Sequence, residues 1–462
     1  MTAADPARPE HPQHPDGPQH PDNPEHPTPS AHGSEPGAGG DPLRLARSRP
    51  YLVLLLLAAV IGAPIAALSF GFLEAVEHLQ PEIFDHLPRG LGFRTAPSWW
   101  PVPVLGVAGV LVALIILRLP GNGGHEPLSG LATGHIAPAR DLPGITLAAL
   151  TSLSLGVVLG PEAPLVTLGG AGAAAALRGL RPGADERAAS MVGAAGSFAA
   201  ISTLFGSPLP AAFLLMEASG LASPLLGVVM LPGLLAAGIG ALMFTGLGGW
   251  TGLPATSLAV PGLPKAHSPT VTELCWAVAI GLAAALFATG VRRLGRLLRD
   301  RVAPRRLWAT PAAGLLVAAA VVIYTEATGK PESDVLFSGQ FGLGSLLAHR
   351  AAYTVGTLVI LVACKAFAYA VSLSAFCGGL VFPSLFLGVA GGMALAHLPG
   401  MEFVPAIAIG MGAMAVSMLA LPLSSVLLTT LLLGGNGLTV MPLVIVGVVV
   451  ARTLSLHLVE EG

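Results

Sequence analysis

From Tyr51 onward the chain alternates apolar stretches with short polar or Gly/Pro breaks, at about 51–73, 102–119, 142–159, 163–177, 188–205, 208–221, 225–247, 271–290, 309–327, 352–375, 379–398, 403–420, 423–433 and 440–458. Several approach or exceed the roughly 20 apolar residues that carry a helix across a bilayer. The pattern predicts an all-α polytopic membrane protein. The stretches near 142–159, 163–177, 208–221 and 423–433 are broken from their neighbours by Gly and Pro, which stop or kink helices and free backbone polar groups. Freed groups are tolerated at membrane depth only where they line a cavity or are buried in protein. Paired discontinuous helices in corresponding positions of two halves point to a transporter-like site near the midplane.

The order of features supports two halves, at about 50–250 and 270–460. In the first, the Gly/Pro knot Gly160-Pro161-Glu162-Ala163-Pro164 is followed by the small-residue run Gly193-Ala194-Ala195-Gly196 and then by Ser207-Pro208-Leu209. In the second, the knot Gly378-Gly379-Leu380-Val381-Phe382-Pro383 is followed by Gly410-Met411-Gly412-Ala413 and then by Leu421-Pro422-Leu423. Composition agrees with the membrane class: 53% of residues are hydrophobic and 10% charged, and 59 glycines suit close helix packing in lipid. Residues 1–49 differ in kind, with near-repeats such as Pro9-Glu10-His11-Pro12 and Pro24-Glu25-His26-Pro27 and no apolar core, so a disordered tail is expected. Arg44, Arg47 and Arg49 precede the first apolar stretch and are expected to hold the N-terminus in the cytoplasm. A net charge of −2 gives no sign of nucleic-acid binding, and Cys275, Cys364 and Cys377 show no metal-ligand spacing. No metal, cofactor or enzymatic activity is expected.

Glu162 carries the candidate chemistry. It is the single acid between Leu142 and Leu177, and an ionisable side chain at membrane depth usually faces a pathway. An interfacial loop where it meets water is the alternative. A helix beginning at a Gly/Pro break presents free N–H groups and the positive end of its dipole, which suits an anion. Two such starts facing each other would bind one without a full opposite charge that held it too tightly. A carboxylate beside them would compete for the same amides, so Glu162 reads as a gate.

The run Gly156-Val157-Val158-Leu159-Gly160-Pro161-Glu162-Ala163-Pro164 resembles the gating-glutamate motif of CLC chloride channels and transporters, and Gly379-Leu380-Val381-Phe382-Pro383 is similar to that family's second anion-binding motif. Ala194 to Glu217 resembles the intervening helix pair, and Lys365 falls where CLC proteins often carry a basic residue. Gly-Pro-Glu at the gate looks like that of bacterial members known only as ion-channel candidates. The resemblance implies a CLC-type fold with two inverted-topology halves and discontinuous, tilted helices. It also implies a homodimer in the plasma membrane and an anion pathway formed by Asn122, Gly160, Ala163, Gly379, Leu380 and Val381 beside the gate Glu162.

Departures from the family pattern bear on coupling. Asn122, in Gly121-Asn122-Gly123-Gly124-His125-Glu126-Pro127, takes the place of a serine whose hydroxyl usually meets the central anion. Ala218 stands where exchangers carry an inner proton-accepting glutamate, with Glu217 one position earlier as a possible proton path. No tyrosine lies beyond Tyr369 and only four residues follow Leu458, so neither the usual last pore helix nor an appended regulatory domain is expected. Channel-like transport of chloride or a similar small inorganic anion follows. Proton-coupled exchange is the alternative, and a non-conducting scaffold or a carrier of an uncharged solute stands outside both. The arginines at 292, 293, 296, 299, 301, 305 and 306 read as a cytoplasmic loop or as an anion-attracting vestibule, and His125 with Glu126 as an exposed pair or a proton relay.

Overall fold

A computed structural model describes residues 47–130, 136–220, 225–251, 259–260 and 262–460. Residues 1–46, with the His/Pro near-repeats and Arg44, lie outside the described residues. The principal helices are α1 (Arg49–Pro81), α2 (Pro101–Arg118), α3 (Leu142–Ser154), α4 (Glu162–Leu180), α5 (Glu186–Phe205), α6 (Pro208–Ala218) and α7 (Leu225–Thr251) in the first half. The second half holds α8 (Val271–Val302), α9 (Arg306–Thr328), α10 (Val355–Ala375), α11 (Val381–Leu395), α12 (Phe403–Leu419), α13 (Pro422–Leu432) and α14 (Gly437–Glu460). Each answers to one apolar segment of the sequence. Their starts are those the residues dictate: Asp185 accepts from the Ala188 amide at 2.9 Å, Thr270 and Glu273 form a capping box, and Pro208 and Pro422 occupy first helical positions.

Two differences from the sequence expectation matter. α3 stops at Ser154 rather than running to 159, because Gly156 takes φ +93° and opens a non-helical run up to Pro161. α8 continues from 290 to Val302, so Arg292, Arg293, Arg296, Arg299 and Arg301 ride on a helix and not on a loop. Arginine and leucine are strong helix formers, and nothing between 290 and 302 breaks the helix.

The two halves repeat one packing scheme. α4 lies on α5 as α11 lies on α12, α5 meets α7 as α12 meets α14, and α1 packs on α5 and α7 as α8 packs on α12 and α14. Equivalent helices then meet across the molecule, α2 against α9 and α6 against α13. The result is an all-α arrangement of two halves built on one packing scheme. Close approach at the repeated crossings depends on missing side chains: a Cβ on Gly169 would lie 2.5 Å from the Gly196 carbonyl oxygen, and one on Gly410 would collide with the Gly388 carbonyl. Among the described residues, seven helical segments are long and apolar enough to cross a membrane, while α6, α11, α12 and α13 are apolar but shorter.

Candidate functional site

The two Gly/Pro knots meet directly. The Gly160 amide donates to the Gly379 carbonyl at 2.9 Å and the Gly379 amide donates to the Gly160 carbonyl at 2.5 Å, an isolated antiparallel bridge. Each glycine stands two residues ahead of the first residue of its helix, Glu162 of α4 and Val381 of α11. Two serines hold the knots in place from opposite halves. Ser372 Oγ near the end of α10 accepts from the Val158 amide at 3.2 Å, and Ser152 Oγ near the end of α3 accepts from the Cys377 amide at 3.4 Å. Backbone that leaves the helix inside the protein is thereby kept paired, as a dry interior requires.

Glu162 is 0% exposed, which removes the interfacial-loop alternative. Its side chain crosses to the facing helix, where Oε1 accepts from the Phe382 amide, the second residue of α11, at 3.0 Å. Oε2 has no partner among the described residues. The carboxylate has room because Gly160 and Gly379 lack side chains; a Cβ on either would overlap it. Gly379→Ala is therefore expected to lower stability by about 1–3 kcal/mol, the usual cost of overpacking. Thermal unfolding in detergent checks this, with Gly391→Ala, whose added Cβ meets nothing within 4 Å, as the unaffected control.

The structure brings Gly160, Gly379 and Val381 together with Glu162, and adds residues the sequence did not single out. Phe382 supplies the amide, and its ring lies 5.8 Å from that of Phe205 at the end of α5. Leu380 contributes through its carbonyl, which accepts from the buried Tyr369 hydroxyl at 3.0 Å. Tyr369 thus takes a place at the second knot although it precedes that knot in sequence. Its position in the apolar stretch 352–375 was the available signal, since a buried phenol needs a partner. Ala163, the second residue of α4 and half-buried, holds the position in its own half that Phe382 holds in the other.

Asn122 lies elsewhere. It is exposed, takes φ +49°, and lines an open cavity of about 650 Å³ together with His125, Arg140, Asp141, Thr167 and Ser197. Val166, one turn beyond Glu162 on α4, reaches the same cavity. The neighbouring Gly123 packs so tightly that a Cβ there would lie 2.6 Å from Cys377 Sγ, which ties the Asn122 loop to the start of the second knot. His125 and Glu126 do not bond to each other. His125 Nε2 meets Ser129 Oγ at 3.1 Å, and Glu126 pairs with Arg299 at 3.1 Å.

Glu217 sits at the end of α6 and accepts three hydrogen bonds from the start of α13: the Leu423 amide at 2.9 Å, and the Ser424 amide and hydroxyl at 2.7 Å each. It caps a helix of the opposite half. Lys365 is fully buried, and its Nζ donates to the carbonyls of Asp334, Val335 and Leu336 at 3.0, 3.0 and 3.2 Å while lying 4.2 Å from the Phe386 ring centroid. No cluster of three or more potential metal ligands occurs among the described residues.

Residues 108–456 match the family model described as voltage gated chloride channel. The chain is 29% identical over 360 residues to the "Putative ion-transport protein YfeO" of Escherichia coli O1:K1 / APEC, covering 76% of this chain and 81% of that protein. Among solved structures it is similar to a slow cyanobacterial Cl−/H+ antiporter, with 19% identity, a TM-score of 0.71 and coverage of 88% of this chain and 97% of that one. A CLC-type fluoride/proton antiporter is also similar, with 20% identity, a TM-score of 0.62 and coverage of 87% and 95%. With the paired knots, the mirrored halves and a family model matched over most of its length, the chain belongs to the voltage-gated chloride channel (CLC) family.

Proposed function

We propose that this membrane protein carries chloride or a similar small inorganic anion passively, with Glu162 as its gate. The observation that carries the proposal is the Glu162 carboxylate on the Phe382 amide at the start of α11. An amide that holds a carboxylate oxygen at a helix start holds a halide by the same chemistry, so carboxylate and anion exclude each other. Gly160, Ala163, Gly379, Leu380 and Val381 then border the anion at the knots, and Asn122 meets it in the adjoining cavity. A homodimer in the plasma membrane with a cytoplasmic N-terminus, and no cofactor, completes the proposal.

Proton-coupled exchange is the second reading, favoured by the Cl−/H+ and fluoride/proton antiporters whose fold this chain shares. Against it, the Glu217 carboxylate is engaged by three donors at the start of α13. Such a carboxylate is occupied in holding a helix end of the opposite half. Glu217→Gln is expected to lower stability by about 1–3 kcal/mol through loss of charge-assisted bonds. Anion flux per folded molecule should change little.

Vesicles loaded with chloride test both readings. Chloride is expected to leave down its gradient without stoichiometric proton movement. Stoichiometric proton uptake would establish the exchanger instead, and the absence of anion flux in both the native protein and Glu162→Gln would sink transport altogether.

A further inference from the structure

Three fully buried polar residues of α10, Lys365, Tyr369 and Ser372, fall at i, i+4 and i+7 and so share one face of that helix. Ser372 holds the first knot and Lys365 the carbonyls behind it. Tyr369 serves the second knot, where its hydroxyl donates to the Leu380 carbonyl at 3.0 Å. The bond that α11 itself offers to that carbonyl, from the Ser384 amide, is long at 3.4 Å, so the tyrosine is the closer donor.

A peptide unit is planar and trans, so a donor that holds its carbonyl also fixes the direction of the N–H at its other end. The Leu380 carbonyl shares its plane with the Val381 amide. The planes on either side are held in the same way. The Gly379 carbonyl, in one plane with the Leu380 amide, accepts from the Gly160 amide at 2.9 Å. The Val381 carbonyl, in one plane with the Phe382 amide, accepts from the Ser384 hydroxyl at 2.7 Å. Three successive amides at the start of α11 are thus aimed by donors behind them, and the Phe382 amide is the one that meets Glu162. The first knot cannot match this series, because Pro161 has no N–H to aim.

Tyr369 and Ser384 are both fully buried. In a dry interior, a hydrogen bond to a carbonyl polarises the peptide unit and strengthens its N–H as a donor. A site that binds an anion through backbone dipoles depends on the strength and the aim of those dipoles. We infer that Tyr369 and Ser384 are positioning residues that set the anion affinity and selectivity of the α11 start, by bracing the carbonyls behind the Val381 and Phe382 amides. The inference rests on the reading of that helix start as an anion site, and it does not require conduction. A merely structural role for the same two bonds would change stability and leave affinity and selectivity alone.

The test uses the full-length protein carrying Glu162→Ala, which frees the amides of their competitor, titrated in detergent with sodium chloride and with sodium nitrate by calorimetry. Adding Tyr369→Phe, which deletes one oxygen and keeps the ring, should raise the chloride dissociation constant about fivefold, as loss of one hydrogen bond's worth of support requires. Adding Ser384→Ala should raise it by a similar factor. The preference between chloride and nitrate should shift as well, because a spherical and a planar anion use the aim of the amides differently. Ser374→Ala removes the same kind of bond, from its hydroxyl to the Val371 carbonyl at 2.7 Å, and should change neither quantity.

Affinity and preference unchanged in both Tyr369→Phe and Ser384→Ala would overturn the inference, whatever their thermal stability. If Tyr369→Phe does not fold, unchanged values in Ser384→Ala overturn it alone. An equal shift in Ser374→Ala would show general loosening of the fold and overturn it too, as would the absence of any chloride or nitrate binding by the Glu162→Ala protein. Anion flux in vesicles separates this inference from the transport proposal. If native and Glu162→Ala vesicles carry no anion while the calorimetric shifts persist, transport falls and the positioning role stands. Flux with unchanged calorimetric values would leave transport standing and remove the positioning role.

Discussion

Replacing Glu162 with alanine is expected to raise passive anion flux at neutral pH by about tenfold or more and to flatten its dependence on pH. Among the described residues the carboxylate is the one charged group at the meeting of the two knots, and it holds the Phe382 amide from which an anion would otherwise accept. A hydrogen bond to a charged group contributes about 1.5–3 kcal/mol. Removing a competitor of that strength changes occupancy by about tenfold for each 1.4 kcal/mol. In the native protein, acidification protonates Glu162, removes its charge and weakens its hold on the amide, so flux should rise as pH falls. The alanine variant has no proton to gain there and should show the high flux across the whole range. Glu162→Gln should fall between the two, because its neutral oxygen still accepts from the amide but more weakly. Chloride efflux from vesicles, measured from acid to neutral pH for all three proteins, decides the matter. Native and alanine rates that coincide at every pH would show that Glu162 does not block the path.

Much of this site was legible in the sequence because its parts are backbone devices with strong residue signatures. A helix that starts at Pro161 and Glu162, or at Pro208, must break from what precedes it, and the same break recurs at Val381 and Pro422. Residues that act through side-chain reach across the fold were not legible. Ser152 and Ser372 are ordinary serines in apolar helices until the structure sets each beneath the knot of the other half. Glu217 read as a candidate proton carrier because its neighbours in sequence said nothing of α13, more than 200 residues away, whose amides it caps. The arginines after 290 read as a loop because charge ended the apolar stretch, whereas helix propensity carries α8 on to Val302. That continuation brings Gly295 close against the Ala370 carbonyl of α10. Phe382 stood inside the quoted second motif, yet only the direct pairing of Gly160 with Gly379 shows that its amide, one residue past Val381, is the one Glu162 reaches.

Lys365→Met is expected to damage the fold more than any change at the gate, by about 3–5 kcal/mol, the range for removing one partner of a buried charged network. The ammonium gathers the carbonyls of residues 334–337, from the end of the short 3-10 helix Glu332–Asp334 onward, with the Phe337 carbonyl at 3.4 Å beyond the nearer three. Methionine fills a similar volume but donates nothing, so these carbonyls lose their partner in a dry interior. Asp334 makes the loss worse. Its carboxylate is held by the Tyr324 and Tyr353 hydroxyls at 2.6 and 2.8 Å, and it would lose the cation that offsets its charge. Damage should also reach the first knot, because the Phe337 amide donates to the Gly156 carbonyl at 3.3 Å, and Phe337 itself takes φ +61°, a conformation its surroundings must hold. Lys365→Arg should not restore stability, since a planar guanidinium cannot converge on carbonyls arranged around a single nitrogen. Asp334→Asn, which removes the charge but keeps an acceptor for both tyrosines, should cost less than Lys365→Met. Thermal unfolding and monodispersity in detergent give that ranking. A methionine variant as stable as the native protein would mean that water reaches the 334–337 carbonyls, and that the lysine is not what orders the segment behind the first knot.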